Sequence, residues 1–232
     1  MKRLDKLLAS TGRWSRGEVK RLVREGRVLA NGRVAASAEE KYDEETVALA
    51  VDGETVRLSE YVYVMLHKPA GVLSATEDGR GRTVLDLLPG EYKKRGLFPV
   101  GRLDKDTEGL LLLTDDGALA HELLSPRKHV DKLYLARVDG VLDESDAEAF
   151  AAGMTLGDGL RCLPAGLEII APDEALVTLR EGKFHQIKRM FAARGKPVVS
   201  LKRLATGPLT LDERLAPGEW RELTAAEIAM LK

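Results

Sequence analysis

The segment Gly101-Arg102-Leu103-Asp104-Lys105-Asp106-Thr107-Glu108-Gly109, followed at once by Leu110-Leu111-Leu112-Leu113-Thr114, constrains this chain more than any other stretch of it. Four leucines in a row are far too few to span a bilayer and read as a buried strand. The turn Asp115-Asp116-Gly117 then opens a helix carrying Leu119, Leu123 and Leu124, which Pro126 stops. The segment in front of the strand is bounded by two glycines, which tolerate left-handed backbone and let neighbouring chain approach closely. If it were extended, Asp104, Asp106 and Glu108 would point the same way and repel one another. In an irregular loop, one acid can instead turn inward while the others stay solvated. Asp104, between Leu103 and the buried strand, is the one expected inside, and there it needs a cation from elsewhere in the chain.

The best candidate for that cation is Lys188. Ile187, Met190, Phe191 and Arg194 share one face of a helix that Gly195 and Pro197 end. Lys188 borders this stripe, so its stem can lie along the core and its ammonium can meet a carboxylate. Residues 180–203 hold eight Lys or Arg against one acid, a balance suited to phosphates. Further strands are expected at 61–66, ended by His67-Lys68-Pro69-Ala70-Gly71, at 133–141 and at 175–179. Strands and helices mix without a regular βαβ cadence, which points to an α+β fold with a largely antiparallel sheet.

A net charge of -1 conceals a segregation. Residues 1–35 hold ten Lys or Arg against three acids, whereas residues 36–60 hold eight acids against two bases. A basic module with an acidic edge and a separate body is expected, with domains at 1–59 and 60–232. In the module, Leu4, Leu7 and Leu8 make a short amphipathic helix closed by Gly12. Ser15 and Glu18 form a capping box for a second helix with the stripe Val19, Leu22 and Val23. Val28 to Val34 reads as a hairpin about Asn31-Gly32. Arg16, Lys20 and Arg24 stand four apart on the second helix, with Arg27 beyond its end, and form a ridge of one sign fit for a phosphate backbone. The one cysteine, Cys162, excludes an internal disulfide and a cysteine zinc site, and with no signal-length apolar segment a cytoplasmic, unanchored protein is expected.

The order helix, basic helix, Val-Leu-Ala-Asn-Gly-Arg-Val resembles the S4 RNA-binding domain over roughly the first sixty residues. The rest resembles the RsuA-type ribosomal-RNA pseudouridine synthases, through Gly101-Arg102-Leu103-Asp104 to Thr114, Lys68-Pro69-Ala70-Gly71, Lys132-Leu133-Tyr134 and Gly182 to Phe191. The resemblance implies Asp104 as catalytic aspartate, Tyr134 as active-site tyrosine and Lys188 as the paired base. It also implies that Arg102 enters the RNA helix where a uridine leaves; Arg189, from the basic run 180–203, is a further RNA-binding candidate. Asp106 and Glu108 flank the motif and receive no catalytic role. Pseudouridine synthesis breaks the N1–C1′ bond, turns the uracil and rejoins it through C5 without net redox change. No cofactor and no metal are thus expected, and the partner is ribosomal RNA or a pre-ribosomal particle, met by a monomer. Uridine in 16S RNA is the preferred target, with 23S RNA as the alternative. A carboxylate with a reference pKa of about 4 can attack or stabilise charge on the sugar, and a tyrosine can stack on uracil and move a proton.

Two other classes remain open on sequence alone. A non-catalytic ribosome-assembly factor would explain the basic regions but leave Asp104, Tyr134 and Lys188 unused. A glycosidic hydrolase would pair Asp104 with Asp106 or Glu108, though basic surroundings suit a polyanion better than a neutral sugar.

Overall fold

The computed structural model describes residues 1–125 and 128–232. Its residues cluster into two compact units, 1–62 with 88–97, and 63–87 with 98–232.

In the first unit, β1 (Lys2–Arg3) leads into α1 (Leu4–Ala9), and α2 (Arg16–Arg24) follows. The expected capping box is present: the Ser15 hydroxyl accepts from the Glu18 amide, and the Glu18 carboxylate accepts from the Ser15 amide at 2.7 Å. β2 (Val28–Ala30) and β3 (Arg33–Val34) form a hairpin whose turn residues Asn31 and Gly32 both have positive φ, as a two-residue turn of this hand requires. β4 (Lys41–Tyr42) pairs with β1, while β5 (Leu49–Val51) and β6 (Glu54–Val56) extend the hairpin to the order β3-β2-β5-β6. Leu4, Leu7, Leu8, Val19, Leu22 and Val23 are buried together with Val28 and Val51, so both predicted stripes face one core. α3 (Gly90–Arg95) belongs to this unit, its Arg95 guanidinium donating to the carbonyls of Ser59 and Glu60.

The second unit is built on one sheet. Its strands are β7 (Tyr63–Lys68), β8 (Phe98–Pro99), β9 (Glu108–Thr114), β10 (Lys132–Val138), β13 (Gly166–Ala171), β14 (Glu174–Leu179), β15 (Val198–Thr206), β16 (Leu209–Thr210) and β17 (Trp220–Glu222). A separate ribbon pairs β11 (Met154–Thr155) with β12 (Arg161–Cys162). The main order is β13-β14-β10-β15-β9-β7-β17, and every pairing is antiparallel except β15 with β9. The helices are α4 (Gly117–Leu124), α5 (Glu144–Ala152), α6 (Gln186–Ala193) and α7 (Ala225–Leu231). No helix among the described residues is long and apolar enough to cross a membrane.

β7 is buried along its whole length, as befits a strand covered on both faces. It runs through His67 and Lys68 instead of stopping before them, and Tyr61 and Val62 precede it. Alternation in β10 places Tyr134, Ala136 and Val138 inside, but the strand ends there and Val141 is exposed. On α4, Leu119 and Leu123 are buried, whereas Leu124 points out at the helix end. Asp116 caps this helix, accepting from the Leu119 amide and from the Tyr63 hydroxyl. Pro126, expected to stop it, lies outside the described residues. α6 buries Ile187, Met190 and Phe191 as its periodicity predicts, and the Phe191 ring meets Phe150 of α5 at 4.7 Å between centroids.

Candidate active site

The acidic loop is irregular, and its shape follows from what holds it. Gly101 has φ 80° and Gly109 φ 107°, conformations costly for any other residue. At Gly109 a Cβ would stand 2.2 Å from the Arg203 carbonyl oxygen, because here β9 pairs in parallel with β15. Between the glycines the backbone is tied down. Ser74 accepts from the Leu103 amide and donates to the Leu103 carbonyl, and Gly71 donates to the Lys105 carbonyl at 2.7 Å. Lys68, fully buried at the end of β7, donates to the carbonyls of Pro69, Lys105 and Thr107 at 3.0, 3.2 and 2.8 Å. Burial lowers its pKa to about 8, against the opposing pull of Asp106, Asp104 and Glu108.

The clamped loop turns Asp104 partly inward, its side chain 27% exposed, while Asp106 stays largely in water. Lys188, from the first turn of α6, lies 2.9 Å from Asp104 Oδ2 and 2.5 Å from Asp106 Oδ1. Burial alone would lower the pKa of this lysine, but hydrogen bonds to Asp106 and then Asp104 outweigh it and the ammonium is held above its usual range. The same interaction holds the Asp106 carboxyl below its usual range. His185 approaches the other oxygen of Asp104, with Nε2 3.6 Å from Oδ1.

These groups stand at a small open pocket of about 80 Å³, lined by Arg102, Asp104, Thr107, Tyr134, His185 and Ile187 among others. Tyr134 stands where the pairing of β10 with β15 slips in register, between Leu133 and Tyr134, and such bulges re-aim side chains beside sites. The ring is nearly buried, and its hydroxyl has no hydrogen-bond partner among the described residues. Arg102 is exposed at the rim and makes no ion pair among the described residues. Those residues also contain no cluster of three or more His, Cys, Asp or Glu fit to hold a metal.

Asp104, Tyr134, Lys188 and Arg102 thus converge, from a loop, a strand and a helix far apart in sequence. Arg189, on α6, is committed to Asp158 at 2.6 Å. In the first unit Arg16, Lys20 and Arg24 are exposed along α2, whereas Arg27 is held by Asp52 and Glu25 at 2.7 and 2.9 Å. Two members of the site escaped the sequence reading. Lys68 carried a signal, a lysine inside an apolar strand before proline. His185 carried none, because only its positive φ aims it at Asp104.

Residues 62–193 match the RNA pseudouridylate synthase family model, and residues 2–47 match the S4 domain. The chain is 48% identical to the Bacillus subtilis RNA pseudouridine synthase YtzG, covering 99% of this chain and 98% of that one. It is 42% identical to the Vibrio cholerae ribosomal small subunit pseudouridine synthase A, covering 99% of each. A crystal structure of a pseudouridylate synthase superposes with a TM-score of 0.71 at 36% identity over the whole of both chains. Fold and family match define an RNA pseudouridine synthase, and the chain belongs to the RNA pseudouridylate synthase family. With its S4 domain and its full-length likeness to synthases of the A type, it is a member of the RsuA-type branch.

Proposed function

We propose that this enzyme isomerises a specific uridine of 16S ribosomal RNA, with Asp104 as the catalytic carboxylate acting on a flipped-out nucleotide. The observation that carries the assignment is the single inward carboxylate at the pocket wall, with one oxygen on the Lys188 ammonium and the other facing the cavity and His185. In the reaction the N1–C1′ bond breaks and the C5–C1′ bond forms, while C5 loses a proton and N1 takes one up. Asp104 assists at the sugar or the base, and Lys188 serves as its fixed counter-ion. Tyr134 stacks against the uracil and offers its unpartnered hydroxyl for proton transfer. Because the target atoms lie within a stacked nucleotide, the base is extruded first, and Arg102 at the rim fills the gap it leaves. The small-subunit target is supported by the A-type relatives in Vibrio and Salmonella, 42–43% identical over nearly the whole chain. Asp106, solvated and sharing the Lys188 ammonium, suits a supporting role better than that of a second catalytic acid.

Asp104→Asn should keep RNA affinity within about twofold while turnover falls by more than about 10³-fold. Glu108→Gln should leave turnover nearly unchanged, and equal loss from both would favour a paired-carboxylate hydrolase instead. Mapping pseudouridine in ribosomal RNA from cells with and without the gene tests the target. A missing modification in 23S RNA, with 16S RNA intact, would reassign it.

A further inference from the structure

Phe184 is 73% exposed, the most exposed aromatic side chain among the described residues. One apolar residue in water is ordinary, but Phe184 is neither loose nor remote. Its ring stacks on His185 with centroids 3.8 Å apart and planes 18° from parallel. His185 itself holds φ 49°, a left-handed conformation that a residue with a side chain adopts at a cost. The loop beneath is pinned. Buried Gln186 accepts from the Lys183 amide at 3.1 Å and donates to Glu181 at 2.7 Å, and Glu181 in turn accepts from the Leu163 amide. The edge of the imidazole reaches Asp104, while Phe184 lies against its face and outside the pocket wall. An aromatic stack therefore starts at the reactive carboxylate and ends in a bare ring face in solvent.

We infer that the outer face of Phe184 is a nucleobase subsite, which receives by stacking the base of a single-stranded nucleotide next to the uridine in the pocket. The inference rests on the pocket being a uridine site. Extruding a nucleotide strips its neighbours of a stacking surface, and an exposed aromatic held in place replaces it whatever the neighbour's identity. The uridine itself has the nearly buried ring of Tyr134, so Phe184 is free for the flanking base.

The test uses the full-length protein carrying Phe184→Ala, Phe184→Leu or Phe184→Trp. On the ribosomal RNA substrate, the alanine and leucine variants should raise KM about tenfold, with kcat and melting temperature unchanged, and the tryptophan variant should restore KM. The Phe184→Trp fluorescence should be quenched by single-stranded oligouridylate beyond the response of wild-type Trp14 and Trp220, and not by duplex RNA. A wild-type KM in Phe184→Ala, or leucine performing as well as tryptophan, overturns the subsite. Loss of kcat alone in Phe184→Ala also overturns it, since the stack would then only position Asp104. If wild-type enzyme forms no pseudouridine in any ribosomal RNA, the functional reading fails, and the oligouridylate quench still decides the subsite.

Discussion

Lys68 shows how a single residue can shape a site it does not enter. Its ammonium has three N–H donors and meets three carbonyls, two of them in the acidic loop. A neutral amine has only two, so deprotonation removes one of the three hydrogen bonds that tie down this backbone. With a pKa near 8, set by burial, kcat should fall on the alkaline side with an apparent value near pH 8. The lowered pKa means the folded state holds its proton less tightly than the unfolded chain, so stability rises between about pH 8 and 10.5 while activity declines. A pH–rate profile beside pH-dependent melting would show that opposition, and Lys68→Met, about 10- to 100-fold slower throughout, should lose the alkaline limb. At this scale the sequence was readable where chemistry and position coincide. Asp104 and Lys188 stood out because one is a carboxylate against a buried strand and the other a base on the edge of an apolar stripe. Lys68 was passed over although a lysine inside an apolar strand before proline marked it, since its carbonyl partners lie far off in sequence, and His185 depends on a backbone angle that no side-chain pattern encodes.

Among the elements, α5 and α6 depend on a buried charge as much as on their phenylalanines. Asp146 closes the capping box of α5 and is wholly buried, accepting from Arg194 at 2.9 Å and also from Lys196. Burial by itself would raise its pKa, but Lys196 and Arg194 outweigh it and the carboxyl is held below its usual range. A depressed carboxylate contributes stability above its unfolded value of about 3.9 and loses it as pH falls through the folded one. Asp146→Asn should therefore lower the melting temperature by about 5 °C at pH 7 and by progressively less as the solution is acidified below pH 4, measured by thermal unfolding across pH. Helices were legible because caps and stripes are local: Ser15 with Glu18, and Ile187 with Met190 and Phe191, specify them within a few residues. Strand limits were less so. β7 continues through His67 and Lys68 because the Leu215 carbonyl meets His67 Nδ1 and loop carbonyls meet the Lys68 ammonium, and these partners come from distant sequence.

For the molecule as a whole, the segregation of charge matters more than its sum. α2 presents Arg16, Lys20 and Arg24 to solvent on an S4 domain, while Arg27 is neutralised by its own neighbours. Replacing those three by glutamine should weaken RNA binding, with kcat at saturation unchanged. The slope of log affinity against log salt should shrink by about 2–3, close to one for each phosphate no longer neutralised. Titrations at several salt concentrations measure it, and an unchanged slope would remove the ridge from the RNA interface. The α+β class and the largely antiparallel sheet were expected from the irregular mixing of strands and helices. The parallel β9–β15 pairing was not, since it depends on Gly109 admitting the Arg203 backbone.

The chain's path through its two units has a consequence for its birth on the ribosome. The first unit is not a continuous stretch: it takes residues 1–62 and then 88–97, and Arg95 completes it through the carbonyls of Ser59 and Glu60. Synthesis runs from the N-terminus at about 5–20 residues per second. The module's core, drawn from residues 4–58, is made first, and α3 joins its unit a few seconds later, once the first strand of the catalytic sheet and the loop beyond it have been made. Synthesis of the two units is interleaved in time, and the last helix of the first unit is made only once the catalytic unit has begun.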